Sequence, residues 1–435
     1  MGKHAMATLI HYCFRNHRPQ FDTSGIHWLA LERQGRTGPR REPMSLKSFP
    51  LLLSAEGSSI LPANLWLAER AQEALEDELN VATIQRDAWS LVSYFSYIEE
   101  LGMEWNASGP LKADRPTYKF RSHLKKQRTK GDIAPTTAAQ QISAVARFYN
   151  WALQRGLLKT SRALFVQADR VVRVYTEHGN SVSKIVFSTD LHLSRKRKNP
   201  RPRPPGGLLP VSAPNRAKIL TLAQESSSLE FFLMLSLGFF TGMRIQSISD
   251  LKLKTLRNAQ ESETPRFKYL LIGPQHNVAT KFSANGKVII PTSLLDQLEH
   301  YSCSVRRLNR IAKAEATHRE LLFVNRNGRP YGREGRDASP SVNVDMHRLR
   351  EVAKERGLDL RLFYFHCTRA TFATSIVQAG MKTEGVSVDA IVSRLTDLLC
   401  QREERTALGY VRFVEKSKLL AKLEDEYSSW LFGEA

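Results

Sequence analysis

The 435-residue sequence is poor in cysteine and has no long apolar run. Its four cysteines, Cys13, Cys303, Cys367 and Cys400, form no Cys-x-x-Cys pair, and its 12 histidines form no His-Glu-x-x-His motif. We therefore expect no zinc site, no disulfide scaffold and no structural metal, and a reducing compartment such as the cytoplasm. No segment approaches the roughly 18 unbroken apolar residues of a membrane-spanning helix, so no membrane partner is expected.

The sequence is also short of acidic residues. It has 64 Lys and Arg against 43 Asp and Glu, a formal net charge of +21 and a pI near 9.9. Such an excess favours a polyanionic partner, most often a nucleic acid. The competing interpretation is a basic protein on a membrane surface, but the sequence has no strongly amphipathic basic helix with a Trp, Phe or Leu face.

Composition and periodicity divide the chain into four regions. Residues 1–60 are mixed and irregular and predict an N-terminal arm or lead-in. Residues 61–175 carry apolar stripes at helical spacing, as in Ile84, Ala88, Leu91 and Phe95, and predict a helical DNA-binding domain. Residues 176–209 predict a basic, proline-rich linker. Residues 210–435 predict a larger α-rich domain with a small antiparallel β-sheet, from the β-type runs "KYLLI" and "KVIIP". The fold class expected is mainly α.

Basic residues cluster in the helical domain and the linker. They lie in "FRSHLKKQRTKG" at 120–131, on the polar side of the next helical stripe, and in "RKRKNPRPRPPGG" at 195–207. A basic Pro-rich run is often only a solvated linker, yet a linker between two DNA-binding domains also has to pass the duplex. The predicted DNA-binding residues are Lys125, Lys126, Arg128, Lys130, Arg147, Arg195, Lys196, Arg197, Lys198, Arg201 and Arg203.

Five polar side chains in the last region match one chemistry, although each also has an ordinary structural explanation. They are Arg244, Lys281, His366, Arg369 and Tyr410. Two arginines can hold the non-bridging oxygens of a phosphodiester and offset the charge of its transition state. A tyrosine hydroxyl is a suitable nucleophile, a lysine can protonate the leaving 5′-oxygen, and a histidine can relay a proton.

Three segments that contain these residues resemble the signature motifs of the tyrosine recombinases, the integrases of phages and mobile elements. They are "TGMRIQSISDLKL", "HCTRATFATSIVQAG" and "LLCQREERTALGYVRF". The resemblance covers roughly residues 60–435 and implies a core-type DNA-binding domain at 61–175 and a catalytic domain at 210–435. It implies catalytic roles for Arg244, His366, Arg369 and Lys281, with Lys287 as the fallback lysine and Tyr410 as the nucleophile. In the last motif Gln401, next to Cys400, stands where the family usually has histidine or tryptophan. A glutamine still donates a hydrogen bond but cannot become cationic.

The resemblance implies DNA cleavage and rejoining through a 3′-phosphotyrosine, with no cofactor, no metal and no ATP. It further implies double-stranded DNA with specific recombination sites as the partner, a tetramer of this chain at synapsis, and a place at the nucleoid in a bacterial cytoplasm. An accessory DNA-bending protein is a candidate partner.

Three alternatives stay open at this point. A type IB topoisomerase or a telomere resolvase would use the same chemistry on one duplex. A non-catalytic DNA-binding protein would retain only the scaffold of a recombinase. The glutamine at 401 keeps this alternative open. Tyr427 is the rival nucleophile, but its spacing from Leu420, Leu423 and Leu431 favours packing on an apolar helix face.

Overall fold

The computed structural model describes residues 6–15, 17–22, 25–30, 32–34, 41–43, 45–75, 81–158, 164–175, 181–194, 203–332, 339–401 and 403–432. The chain divides into two compact units, Met1–Lys198 and Asn199–Ala435. The finer borders expected after residues 60, 175 and 209 stay predictions.

The first unit combines four helices with paired strands. Its helices are α1 Leu61–Leu75, α2 Val81–Glu100, α3 Pro116–Lys130 and α4 Pro135–Gln154. Its strands are β1 Thr8–Arg15, β2 His17–Asp22, β3 Gly25–Ala30, β4 Glu32–Gln34, β5 Arg41–Pro43, β6 Ser45–Leu53, β7 Gln167–Tyr175 and β8 Ser181–Thr189. The antiparallel pairs are β1 with β6, β2 with β3, β4 with β5 and β7 with β8.

The helices of the first unit follow the apolar stripes of the sequence. The side chains of Tyr94, Phe120, Phe148 and Tyr149 are fully buried between α2, α3 and α4. Phe95 is also buried, so this aromatic stripe packs in the core, as its spacing predicts. Burying one such side chain stabilises a fold by roughly 1.5–3 kcal/mol.

One expectation for this unit is wrong in detail. The lead-in is not irregular where the structure describes it, because β6 pairs with β1 and buries Phe49 and Leu52 against the helical core. These contacts join residues distant in sequence, which local periodicity does not reveal. The basic stretch at 120–131 is the C-terminal part of helix α3, which ends at Lys130 with Gly131 as its left-handed cap.

The second unit is mainly helical with one small sheet, which confirms the predicted fold class. Its helices are α5 Ala213–Ser226, α6 Leu229–Thr241, α7 Ile245–Ser249, α8 Leu253–Arg257, α9 Thr292–Ser302, α10 Val305–Ile311, α11 Pro340–Glu355, α12 Cys367–Gly380, α13 Val388–Leu398 and α14 Glu404–Phe432. Its strands are β9 Gln260–Glu261, β10 Phe267–Ile272 and β11 Gly286–Pro291.

The sheet of the second unit is antiparallel in the order β11-β10-β9. The two predicted β-type runs form β10 and β11, with Leu270 opposite Val288. These strands pack on the apolar helix α6 in one buried cluster, while α12, α13 and α14 form a second. Helix α12 joins them, because Cys367 belongs to the first cluster and Phe372 to the second.

Candidate active site

The turn between α6 and α7 positions Arg244. The hydroxyl of Thr241 accepts a hydrogen bond from the Met243 amide at 3.2 Å, and Gly242 has a left-handed backbone with φ of 67°. A Cβ atom at Gly242 would lie 2.4 Å from Cδ1 of Phe372, so only glycine fits both the turn and the close approach of α12. Arg244 follows as the partly buried N-cap residue of α7.

Arg369 on α12 is held by the main chain of two other segments. Its side chain lies in the interior, with the residue only 3% exposed. Nη1 donates to the carbonyl of Gly242 and Nη2 to that of Leu399, both at 2.7 Å. The two bonds fix the plane of the guanidinium relative to the turn before Arg244 and to the end of α13.

The C-terminal end of α13 forms a left-handed cap with cysteine in place of glycine. The amide of Cys400 donates to the carbonyl of Asp397 at 2.9 Å, and the amide of Gln401 donates to that of Thr396 at 3.0 Å. Cys400 adopts φ of 46°, which costs roughly 1–2 kcal/mol for a residue with a Cβ. Its Sγ lies so close to Gly286 that a Cβ there would be 2.3 Å away.

One cleft gathers polar side chains from these segments. Its polar lining comes from Arg244, Ser247, Thr280, Arg369 and Cys400. Its remaining walls are apolar and come from Met243, Ile272, Val288, Leu398 and Leu399. Charges in such apolar surroundings interact more strongly than charges in water. The two arginines therefore give this small cleft a positive charge.

Tyr410 is buried within reach of both arginine charges. It lies on α14, is 4% exposed and packs in the same apolar cluster as Phe372 and Leu399. Burial raises the pKa of the Tyr410 hydroxyl, and the positive charges of Arg369 and Arg244 act against that rise. The same two charges act against the raised pKa of the Cys400 thiol. Three of the predicted residues, Arg244, Arg369 and Tyr410, are thus brought together.

The other predicted catalytic residues lie around this group. Lys281 is exposed and begins a 3₁₀ turn between β10 and β11, directly after the cleft residue Thr280. His366 is the exposed N-cap residue of α12, whereas Arg369 one turn later is buried. Gln401 is half-buried, and its Oε1 atom accepts no hydrogen bond from the described part of the chain.

The predicted DNA-binding residues divide into three groups. Lys125, Lys126 and Lys130 are exposed on α3. Three arginines bond to the protein itself: Arg128 to the Ser194 carbonyl at 3.2 Å, Arg147 to the buried Asp87 carboxylate at 2.6 Å, and Arg203 to the Gly207 carbonyl at 3.4 Å. The others, Arg195, Lys196, Arg197, Lys198 and Arg201, lie outside the described residues, as does the side chain of Tyr427.

Three residues of the cleft were not predicted as site residues. Ser247 and Thr280 have short hydroxyl side chains, and they reach the cleft through the α7 turn and the β10–β11 connection. Cys400 and Gln401 are the two neighbouring residues at the position where the third motif usually has histidine or tryptophan. Of these two, Cys400 is the one that lines the cleft. Which of the two neighbours lines the cleft follows from the left-handed cap of α13, and sequence periodicity does not show this cap.

The described residues contain neither a metal-binding cluster nor a membrane-spanning helix. No group of three or more His, Cys, Asp or Glu side chains there could hold a metal ion. No helix in the same residues is long and apolar enough to cross a membrane.

The chain is similar in structure to site-specific recombinases and integrases. One is the XerH site-specific recombinase bound to a palindromic difH substrate in a post-cleavage complex, with 14% identity, 83% of both chains covered and a TM-score of 0.49. Another is the Tn1549 transposon integrase in complex with transposon right-end DNA, with 12% identity, 83% of this chain and 98% of that chain covered, and a TM-score of 0.47. A lambda integrase dimer bound to a COC′ core site has 16% identity over 80% of this chain and 94% of the other, with a TM-score of 0.45.

No protein-family model and no curated protein sequence matches the chain.

Proposed function

We propose that this protein is a site-specific DNA recombinase that cleaves and rejoins DNA through a 3′-phosphotyrosine on Tyr410. One observation carries the proposal: Arg244 and Arg369 line a single cleft, and their charges both act on the hydroxyl of the buried Tyr410. A pair of guanidinium groups near a tyrosine hydroxyl suits in-line attack on a phosphodiester.

In the cleavage step the Tyr410 oxygen bonds to phosphorus as the bond to the 5′-oxygen breaks. The two arginines hold the non-bridging oxygens and offset the negative charge of the pentavalent transition state. The tyrosine proton passes to a base, for which His366 is the candidate, and the leaving 5′-oxygen takes a proton from Lys281. Attack by a 5′-hydroxyl reverses these transfers, so the phosphoester is exchanged and no ATP is consumed.

Gln401 and Cys400 have different proposed roles in the site. The amide of Gln401 is an uncharged hydrogen-bond donor for a phosphate oxygen, and it does not shuttle protons. Cys400 lines the cleft in a strained left-handed backbone, and its thiol stays protonated because burial raises its pKa. Both residues make this site less basic than one with a histidine at the same place.

Recognition of DNA is proposed to rest mainly on phosphate contacts. The exposed lysines of α3 (Lys125, Lys126 and Lys130) and the net charge of +21 support a salt-sensitive affinity for double-stranded DNA. Strand exchange needs two duplexes and therefore several copies of the chain. Leu419 and Leu423 of α14 are 57% and 51% exposed, which supports α14 as the element that contacts a second copy. Deleting residues 416–435 should then weaken synapsis of two DNA sites more than binding to one site; equal losses would exclude this role.

A DNA-binding protein without cleavage activity is the second candidate. The glutamine at 401 and the burial of Tyr410 favour it, because a buried neutral hydroxyl is a poor nucleophile unless a base assists, and a glutamine cannot shuttle a proton. A type IB topoisomerase or a telomere resolvase would share the cleavage step. Only a substrate with two sites separates those enzymes from a recombinase.

The test uses a supercoiled plasmid that carries the DNA flanking this gene, without metal or ATP. The wild-type protein should form a protein–DNA adduct that protease removes, whereas Tyr410→Phe should form none at equal binding. Tyr427→Phe, on the same helix, is the matched control and should behave as wild type. Salt-sensitive binding without an adduct in any of the three proteins would favour the DNA-binding alternative.

A further inference from the structure

Asp250 links helix α7, which follows Arg244, to the chain between β10 and β11, which carries Lys281. It is the C-cap residue of α7, six residues after Arg244. Its Oδ2 atom accepts a hydrogen bond from the backbone amide of Ala279 at 2.6 Å. Its Oδ1 atom accepts one from Nζ of Lys252, which also donates to the Asp250 carbonyl at 2.8 Å. Neither Asp250 nor Lys252 lines the cleft.

The connection between β10 and β11, residues 273–285, has its own internal hydrogen bonds. The amide of Val278 donates to the Gly273 carbonyl at 3.1 Å, and the Thr280 hydroxyl donates to the Ala284 carbonyl at 2.6 Å. These bonds fix the shape of the connection but not its position relative to α7. The buried Val278 side chain anchors it to the core by apolar contact, which has no directional preference.

The hydrogen bond between the Ala279 amide and the Asp250 carboxylate fixes the position of the connection relative to α7. A hydrogen bond to a carboxylate is shorter and stronger than one between neutral groups. Ala279 is two residues before Lys281, and adjacent Cα atoms are about 3.8 Å apart, so a bond at Ala279 limits where the Lys281 side chain can begin. Thr280, between the two, faces the cleft together with Arg244.

We propose that Asp250 is a positioning residue, which holds the Lys281 segment against the Arg244 helix so that the lysine meets the leaving oxygen. The inference rests on the proposed function, because it gives Lys281 the role of proton donor. Lys252 balances the charge of Asp250, so the carboxylate adds no net negative charge beside a site that must accept a phosphate. The carboxylate acts through the Ala279 amide and does not touch the substrate.

The first experiment needs no DNA. Hydrogen–deuterium exchange of the full chain, read by mass spectrometry over residues 273–286, should be at least about tenfold faster in Asp250→Ala than in wild type. Asp250→Asn keeps an oxygen acceptor without the charge and should lie between the two. Asp296→Ala, an exposed aspartate on α9, is the matched control and should exchange as wild type. Unchanged exchange in Asp250→Ala would overturn the proposal.

The second experiment isolates proton donation. Once the adduct has been mapped, the site is made with either oxygen or sulfur as the bridging 5′ atom; a thiol has a pKa of about 8.5, so a thiolate leaves without a proton. Asp250→Ala should cleave the oxygen substrate about 10- to 100-fold more slowly than wild type but the sulfur substrate at nearly the wild-type rate. Lys281→Ala should show the same rescue and Arg369→Ala none.

The outcomes separate the two proposals. Equal slowing of Asp250→Ala on both substrates would mean a general structural defect and would overturn the positioning role. If wild type itself forms no adduct on either substrate, the proposed function fails and the inference fails with it. A loss of rescue in Asp250→Ala alone, with wild type active, leaves the proposed function intact.

Discussion

Two arginines of the second unit are equally buried, each 3% exposed, and yet differ in what surrounds them. The guanidinium of Arg307 on α10 makes four hydrogen bonds of 2.7–3.2 Å to backbone carbonyls, those of Ser302, Arg319, Leu321 and Leu322. Burial lowers the pKa of Arg307. The guanidinium of Arg369 is aimed by two carbonyl bonds, and its charge reaches the hydroxyl of Tyr410 and the thiol of Cys400.

The comparison shows how a buried arginine serves either structure or chemistry. Four bonds to carbonyls occupy most of the five N–H donors of Arg307, so that side chain ties the chain after α10 to the helix. The carbonyls that accept hydrogen bonds from Arg369 belong to the two segments that also supply Arg244 and Cys400 to the cleft. Burial alone therefore does not distinguish the two residues. What distinguishes them is that Arg369 lines a cleft together with a second arginine, Arg244, whereas Arg307 is bonded within the scaffold.

The largest expected effect is on Arg369. In Arg369→Lys a single ammonium cannot make the forked pair of bonds to Gly242 and Leu399 and cannot hold two phosphate oxygens. We expect adduct formation to slow by about 10²- to 10³-fold, as for the loss of one transition-state donor, with DNA affinity nearly unchanged. Single-turnover cleavage and fluorescence anisotropy measure the two quantities. Cleavage at the wild-type rate would place Arg369 in the same class as Arg307.

Arg307→Lys is the matched control for that substitution. Several buried carbonyls lose their donors, so the free energy of unfolding should fall by about 1–3 kcal/mol. Urea unfolding measures this loss, and the cleavage rate per folded molecule should stay at the wild-type value. A cleavage defect without a stability defect would show that the two buried arginines do not differ as described.

The smallest effect is expected for exposed charges. Replacing the three lysines of α3 (Lys125, Lys126 and Lys130) by alanine should leave the cleavage rate at saturating protein unchanged. The slope of log affinity against log salt should become shallower by about 0.9 for each lysine that contacts a phosphate. A titration at several salt concentrations measures the slope. An unchanged slope would exclude α3 from the DNA interface.

Much of the fold followed from local patterns in the sequence. The stripes of α2 and α4 and the β-type runs of β10 and β11 were predicted, because each element buries one face and so repeats apolar residues at its own period. The pairing of β1 with β6 was not predicted, since it joins residues far apart in sequence, from Arg15 with Ser45 to Thr8 with Leu53. Periodicity carries no information about such partners.

The candidate site, like the fold, was predictable from the sequence only in part. The motifs of the sequence pointed to Arg244, Arg369 and Tyr410, and the structure brings these three together. The carbonyls that aim Arg369, the left-handed backbone at Cys400 and the bond from Asp250 to Ala279 are all contacts between distant segments. Residue types alone do not specify them, so they had to be read from the structure; the catalytic roles themselves stay proposals.

The most direct test of the account is to identify the residue that carries the DNA. The wild-type adduct is digested with nuclease and trypsin, and the peptides are searched for a bound nucleotide phosphate. Cleavage after Arg405 and Arg412 releases Tyr410 in the peptide Thr406–Arg412, whereas cleavage after Lys422 releases Tyr427 in Leu423–Ala435. The account predicts the nucleotide on Thr406–Arg412. A nucleotide on Leu423–Ala435, or on any other peptide, would contradict it.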